Sequence, residues 1–278
     1  MRTFKQVDVF TSRALYGNPV AVVLDANGLT DEDMQQLASW TNLSETTFVL
    51  PPENPAASYR VRIFTPRAEL PFAGHPTLGT AHAVLEAGIA QPRNGKLVQE
   101  CAVGLVDVSV GETKLSFRLP RYAAAEAEDV ARIVTAIGGA GVVKATPQVL
   151  DVGPRWVIAE MISTDAVAHL EPDLVALADY DRQHGTTGLT VFAADEAGTL
   201  VRSFAPADGI AEDPVCGSGN GAVAAYRLLA GQIGDGDRYI ASQGLQIGRD
   251  GYVHIRIEGS DIHVGGQCVT CIDGSLRL

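Results

Sequence analysis

Glu45, His75, Asp213 and Cys216 are the residues of this chain whose types and settings fit acid–base or nucleophilic chemistry. Glu45 lies in Asn42-Leu43-Ser44-Glu45-Thr46-Thr47-Phe48, between a helix end and a strand start, where a scaffold can hold a catalytic group. A carboxyl partly shielded there has its pKa raised toward neutrality, which suits a general acid/base. Left in water, it is an ordinary loop acid. His75 follows Gly74 and precedes Pro76. Proline favours the first helical position, so the pattern puts His75 at or beside a helix N-cap. The positive helix end disfavours an imidazolium and leaves a neutral ring able to donate to a substrate oxygen or pass a proton; the plain alternative is a capping histidine. Asp213, before Pro214, either holds a substrate ammonium or hydroxyl, or moves a proton, or closes an Asx-type turn. Glu212 beside it reads as a solvated partner. Cys216 opens the glycine-rich run Cys216-Gly217-Ser218-Gly219-Asn220-Gly221. A thiol just before a helix has its thiolate favoured. The glycine spacing is not that of a dinucleotide fingerprint and the run lacks a phosphate-loop lysine, so no nucleotide site is expected.

The elements that must position these residues occur twice. Arg62-Ile63-Phe64-Thr65-Pro66 leads to Phe72-Ala73-Gly74-His75-Pro76-Thr77-Leu78-Gly79; Arg202-Ser203-Phe204-Ala205-Pro206 leads to Asp213-Pro214-Val215-Cys216-Gly217-Ser218-Gly219. Each reads as strand, Phe-x-Pro, loop, glycine turn and small-residue helix. The offset is about half the chain, far longer than a solenoid period. A duplicated domain is expected, with Ala73 standing where the second copy has Cys216. Two helix starts, each with free N–H groups and a positive dipole end, would make an anion site. The expectation is a small carboxylate bound between the halves.

The 278 residues suffice for two domains of about 130 each. Apolar residues make up 46% and charged ones 19%, which fits a packed protein. A net charge of −12 argues against nucleic acid and anionic membranes. No apolar run reaches the roughly 18 residues of a membrane span, and the polar start lacks a secretory pattern, so a cytoplasmic protein is expected. Cys101, Cys216, Cys268 and Cys271 do not make a disulfide framework in a chain this long. Cys268-x-x-Cys271 has no second such pair and reads as packed thiols on a strand rather than half a metal site.

Strand patterns cover 6–10, 19–24, 46–50, 59–64, 96–101, 105–110 and 114–119 in the first half. Thr30, three acids and the Leu29/Met34 pair signal a helix start. Pro120-Arg121 and the alanines and acids up to residue 129 read as a linker. The second half is expected to carry a helix over 130–137, strands over 148–152, 155–160, 189–193, 200–204, 252–258 and 261–264, and a chain crossing at Gly265-Gly266. The domains expected are 1–119 with 266–278, and 120–265.

Taken together, these stretches resemble the PhzF family of phenazine-biosynthesis isomerases. The resemblance also rests on Gly17-Asn18-Pro19-Val20-Ala21-Val22 and Glu69-Leu70-Pro71-Phe72. It implies an α+β, diaminopimelate-epimerase-like fold: two pseudo-symmetric domains of mixed β-sheet, each wrapped around a central helix. It implies a homodimer with no metal and no cofactor. Carried over by motif, Glu45 would transfer the proton; His75, Asp213 and Ser218 would line the site; amides after Gly74 and Gly217 would bind the substrate carboxylate. The reaction implied is isomerisation of trans-2,3-dihydro-3-hydroxyanthranilate or a similar acid. The chain departs from the phenazine-pathway members at Cys216, where they tend to have Thr. That leaves an amino- or hydroxy-acid epimerase using Cys216, or a non-catalytic binder, as the alternatives.

Overall fold

Alternation and β-branching put eight segments of residues 1–118 into strands, and the structure, a computed structural model, describes residues 1–196 and 198–278. The chain divides into two compact units, residues 1–118 with 265–278, and residues 119–264. In the first unit the strands are β1 (Arg2–Val9), β2 (Asn18–Val23), β3 (Thr46–Leu50), β4 (Tyr59–Phe64), β5 (Glu69–Leu70), β6 (Lys96–Cys101), β7 (Gly104–Val110) and β8 (Leu115–Arg118). The last strand of the chain, Cys268–Leu276, pairs with β1. β1 runs antiparallel to β2, β2 parallel to β3, and β3 antiparallel to β4. β4 then holds β5 antiparallel at one end and β6 parallel at the other; β6, β7 and β8 form a meander.

Helix α1 (Asp31–Thr41) starts as its residues dictate: Thr30 and Asp33 cap each other's backbone N–H reciprocally. Its buried Met34, Leu37 and Ala38 pack on Phe48 and Phe64, with Leu29 against the same cluster. Asn42 ends it in the left-handed conformation, φ 54°, which asparagine tolerates. Helix α2 (Gly74–Glu86) is the centre of the unit. Leu78, Ala81, Ala83 and Val84 are fully buried, and the helix packs against β1, β2, β3, β6, β7 and β8. Gly79 permits this approach, since a Cβ there would run into Val20 and Val9.

The second unit repeats the plan. It contains β9 (Ala123–Glu126), β10 (Gln148–Asp151), β11 (Arg155–Glu160), β12 (Gly188–Asp195), β13 (Gly198–Ala205), β14 (Ile210–Asp213), β15 (Arg238–Gln243), β16 (Gly251–Glu258) and β17 (Asp261–Gly266), the last crossing to the first unit. The pairing β10–β11 antiparallel, β11–β12 parallel, β12–β13 antiparallel, β13–β15 parallel and β15–β16 antiparallel matches the sequence of pairings from β1 to β7. Its central helix is α6 (Gly217–Leu229), buried from Gly219 to Tyr226. Helices α3 (Val130–Ala136), α4 (Thr164–Ala168) and α5 (Leu174–His184) cover a core of Val149, Val157, Leu177, Tyr180 and Phe204.

Three expectations need correction here. Residues 123–126 are not linker but β9, paired with β10 residue for residue from Ala123↔Asp151 to Glu126↔Gln148. Alanines and acids have weak strand propensity, so only the partner strand makes this segment extended. Glu212 is not solvated: it is 9% exposed and holds the Arg202 guanidinium at 2.9 and 2.8 Å. Finally, α2 starts at Gly74 with Ala73 as N-cap, so His75 is the second helical residue and Pro76 the third. Proline fits there because no N–H in the first turn has a helical partner.

Candidate active site

In the first unit the structure brings Glu45 and His75 together. Asn42 turns the chain out of α1, and three residues later the backbone carbonyl of Glu45 accepts the Ala21 N–H at 3.3 Å. Glu45 is thereby fixed at the mouth of the parallel β2–β3 pair, with Thr46 and Thr47 fully buried behind it. Its Oε2 lies 3.3 Å from His75 Nε2, without the alignment of a hydrogen bond; the side chains are 15% and 7% exposed. Burial pushes the Glu45 carboxyl up to about 7, against a smaller opposing hydrogen bond from Ser44. A carboxyl that titrates near neutrality is matched to both taking and returning a proton.

His75 is held by the start of α2, and that start is held by a buried polar chain. Thr77 Oγ1 donates to the Ala73 carbonyl at 2.9 Å, Gln99 Nε2 donates to Thr77 Oγ1 at 2.9 Å, and Tyr59 Oη donates to Gln99 Oε1 at 3.1 Å. Phe117 closes over Gly74, where a Cβ would lie 2.9 Å from the ring. Ala73 has no side chain to cap the helix, in contrast to the N-cap of α6.

In the second unit the N-cap is Cys216, whose Sγ accepts the Gly219 N–H at 3.2 Å and lies 3.5 Å from Ser218 Oγ. Here the thiolate expectation fails. Cys216 is 4% exposed, and burial raises its thiol well above the ordinary value, with the negative charge of Asp213 adding to the rise. Desolvation outweighs the hydrogen bonds from Ser218 and Gly219 that act the other way. Asp213 sits beside this helix start with Oδ1 accepting the Val215 N–H at 3.0 Å, the geometry of a turn-closing acid. Gly217 is buried and Ser218 half-buried at the opening of α6. A Cβ on Gly219 would meet Ser203 Oγ at 2.6 Å and Thr190 Oγ1 at 2.8 Å, so this glycine lets the turn close on β12 and β13.

Sequence reasoning missed three participants. Gln243, fully buried on β15, accepts the Cys216 N–H at 3.1 Å and the Asn220 amide at 2.8 Å, and donates to the Asp213 carbonyl at 3.0 Å. Gln99 does the equivalent work on β6. Trp156 on β11 donates its indole N–H to Ser218 Oγ at 3.0 Å. A glutamine inside an otherwise strand-like pattern is a signal for the first two; nothing local marks Trp156 as more than core.

The chain matches the PhzC-PhzF family, described as phenazine biosynthesis-like protein, over residues 7–274. It is 38% identical to a Schizosaccharomyces pombe protein named antisense-enhancing sequence 1, covering 98% of this chain and 97% of that one. It is 34% identical to the trans-2,3-dihydro-3-hydroxyanthranilate isomerase of Pseudomonas chlororaphis, covering 100% of both. Among solved structures, a Bacillus anthracis PhzF-family protein superposes with a TM-score of 0.87 at 25% identity, covering 100% of this chain and 99% of that one. Racemase and epimerase structures share the fold at identities too low to carry more than the fold.

Proposed function

The chain belongs to the PhzC-PhzF family of phenazine biosynthesis-like proteins, and from that premise we propose that it is an isomerase moving a proton on a small carboxylate, without metal or organic cofactor. The observation that carries this reading is the Glu45 carboxyl: walled in by burial, poised at about 7 and 3.3 Å from His75. As carboxylate, Glu45 takes a proton from a carbon next to a conjugated system. As carboxylic acid, whose proton exchanges with solvent, it delivers a proton to another carbon of that system, so the composition of the substrate is unchanged. His75 steadies the carboxyl or the substrate oxygen. The charge that spreads onto the substrate carboxylate in the transition state is met by the amides that open α2 at Gly74. Gly217, Ser218 and Cys216 at the opening of α6, with Asp213 beside them, are the proposed substrate-binding residues of the second unit. The substrate class is that of trans-2,3-dihydro-3-hydroxyanthranilate, the compound named for relatives at 34% identity.

The epimerase reading needs Cys216 as an acid–base group, and burial works against its ionisation. A heavy-water incubation tests the proposal. The protein is offered trans-2,3-dihydro-3-hydroxyanthranilate and a panel of amino and hydroxy acids, and mass spectrometry follows deuterium. The expected result is solvent deuterium at carbon in the dihydro-hydroxyanthranilate product. Glu45→Gln should still bind this acid but lose turnover by about 10²–10⁴-fold. Undiminished turnover in that variant would end the proposal.

A further inference from the structure

We infer that Trp156 is a positioning residue that orients the Ser218 hydroxyl as a hydrogen-bond donor toward the substrate's carboxylate. The inference rests on the reading of Ser218 as a substrate contact. An indole N–H can only donate, so at 3.0 Å it occupies one acceptor position of Ser218 Oγ. Cys216 Sγ, 3.5 Å away, already accepts the Gly219 N–H, and either Sγ or Ser218 Oγ can donate in the contact between them. With the indole on one acceptor position and the thiol contact able to turn either way, the Ser218 hydroxyl can give its proton to an acceptor outside this cluster. Ser218 is half-buried whereas Cys216, Gly217 and Gly219 are buried, so it is the accessible residue of these four. A carboxylate oxygen supplies the missing acceptor; an ammonium or another donor does not.

The indole is locked. Trp156 is 3% exposed, and its cross-strand partner is Gly188. A Cβ at 188 would lie 2.9 Å from Trp156 Cζ3, so the ring occupies space that any other residue would fill. Trp156 therefore cannot turn its N–H elsewhere without repacking β12.

The test is a double-variant cycle read by calorimetry with 2-aminobenzoate, which carries the carboxylate but no proton on a saturated ring carbon. Trp156→Phe and Ser218→Ala are each expected to weaken binding about fivefold to tenfold, and the double variant no further. With the reacting substrate, the Trp156→Phe loss should fall on KM more than on kcat. If Trp156→Phe folds poorly, 3-benzothienylalanine replaces tryptophan in a Trp40→Phe background. That analogue keeps the ring shape and lacks the N–H, and it should reproduce the same loss. Wild-type affinity in Trp156→Phe or the analogue protein, beside a weakened Ser218→Ala, overturns the inference and leaves the substrate contact standing. Losses that multiply in the double variant also overturn it. Wild-type affinity in Ser218→Ala removes the substrate contact itself, and the inference with it.

Discussion

At the scale of one residue, the burial of Glu45 that underlies its proposed chemistry also bears on stability. Its carboxyl titrates near 4.5 in an unfolded chain and about 7 in the folded one. Between those values the folded state binds more protons, so stability is greatest below about 4.5 and falls as pH climbs toward 7. At about 1.4 kcal/mol per pKa unit, the ionised carboxyl costs about 3 kcal/mol above neutrality. Glutamine cannot ionise. Glu45→Gln should therefore match the wild type in thermal denaturation near pH 4 and exceed its stability by up to about 3 kcal/mol at pH 8. A stability gap that does not change with pH would contradict the assignment. The enzyme's kcat/KM should show the counterpart, a rising limb with its midpoint near 7, because the carboxylate is the form that accepts the proton.

At the scale of elements, the two halves share one device with different burial. Arg62 on β4 grips Glu69 on β5 at 2.7 and 2.6 Å, and Arg202 on β13 grips Glu212 on β14 at 2.9 and 2.8 Å. Each guanidinium also lies 5.1 Å from a phenylalanine two residues on, Phe64 or Phe204. The first pair is 25% and 37% exposed, the second 7% and 9%. Arg202 further donates to the carbonyls of Val167 and Leu170, which tie α4 down. Glu212→Gln should therefore cost about 3–5 kcal/mol in chemical denaturation, since it leaves a buried guanidinium uncompensated. Glu69→Gln should cost about 1 kcal/mol or less. Equal losses would show that burial does not separate the pairs. The Arg-x-Phe-x-Pro repeat was readable in the sequence, and so was the capped start of α1, because both are local. Glu212 and β9 were misread because their state depends on partners far along the chain: a buried guanidinium in one case, β10 in the other. Helix α5 was missed despite an Asp173 N-cap and a Gly185 C-cap, since alanines and polar residues dilute its apolar face. Glu45 and His75 stood out in the sequence as candidates, and the structure places them side by side; the buried Gln99 and Gln243 that fix the helix starts carry only the weak signal of a glutamine in a strand pattern, since hydrogen-bond partners leave no periodic trace.

At the scale of the whole molecule, duplication sets which chemistry the chain can run. Ala73 and Cys216 are the N-caps of the two central helices, so the equivalent positions hold one thiol, not two. Epimerisation at a single carbon removes a proton from one face and returns one to the other, which calls for two acid–base groups. Shifting a proton along a conjugated system can be done by one. The first half carries the pair proposed for that work, Glu45 and His75, while the second buries its thiol as a cap on Gly219. Cys216→Ala should then lose about 1–2 kcal/mol of stability, from the cap and the space the sulfur filled. Its turnover should fall by less than about tenfold, well short of the loss in Glu45→Gln. A thiol alkylating agent should spare activity for the same reason, since buried Cys216 keeps its proton. Measured side by side, a Cys216→Ala protein as inactive as Glu45→Gln would return the thiol to the mechanism and make the molecule a two-group epimerase.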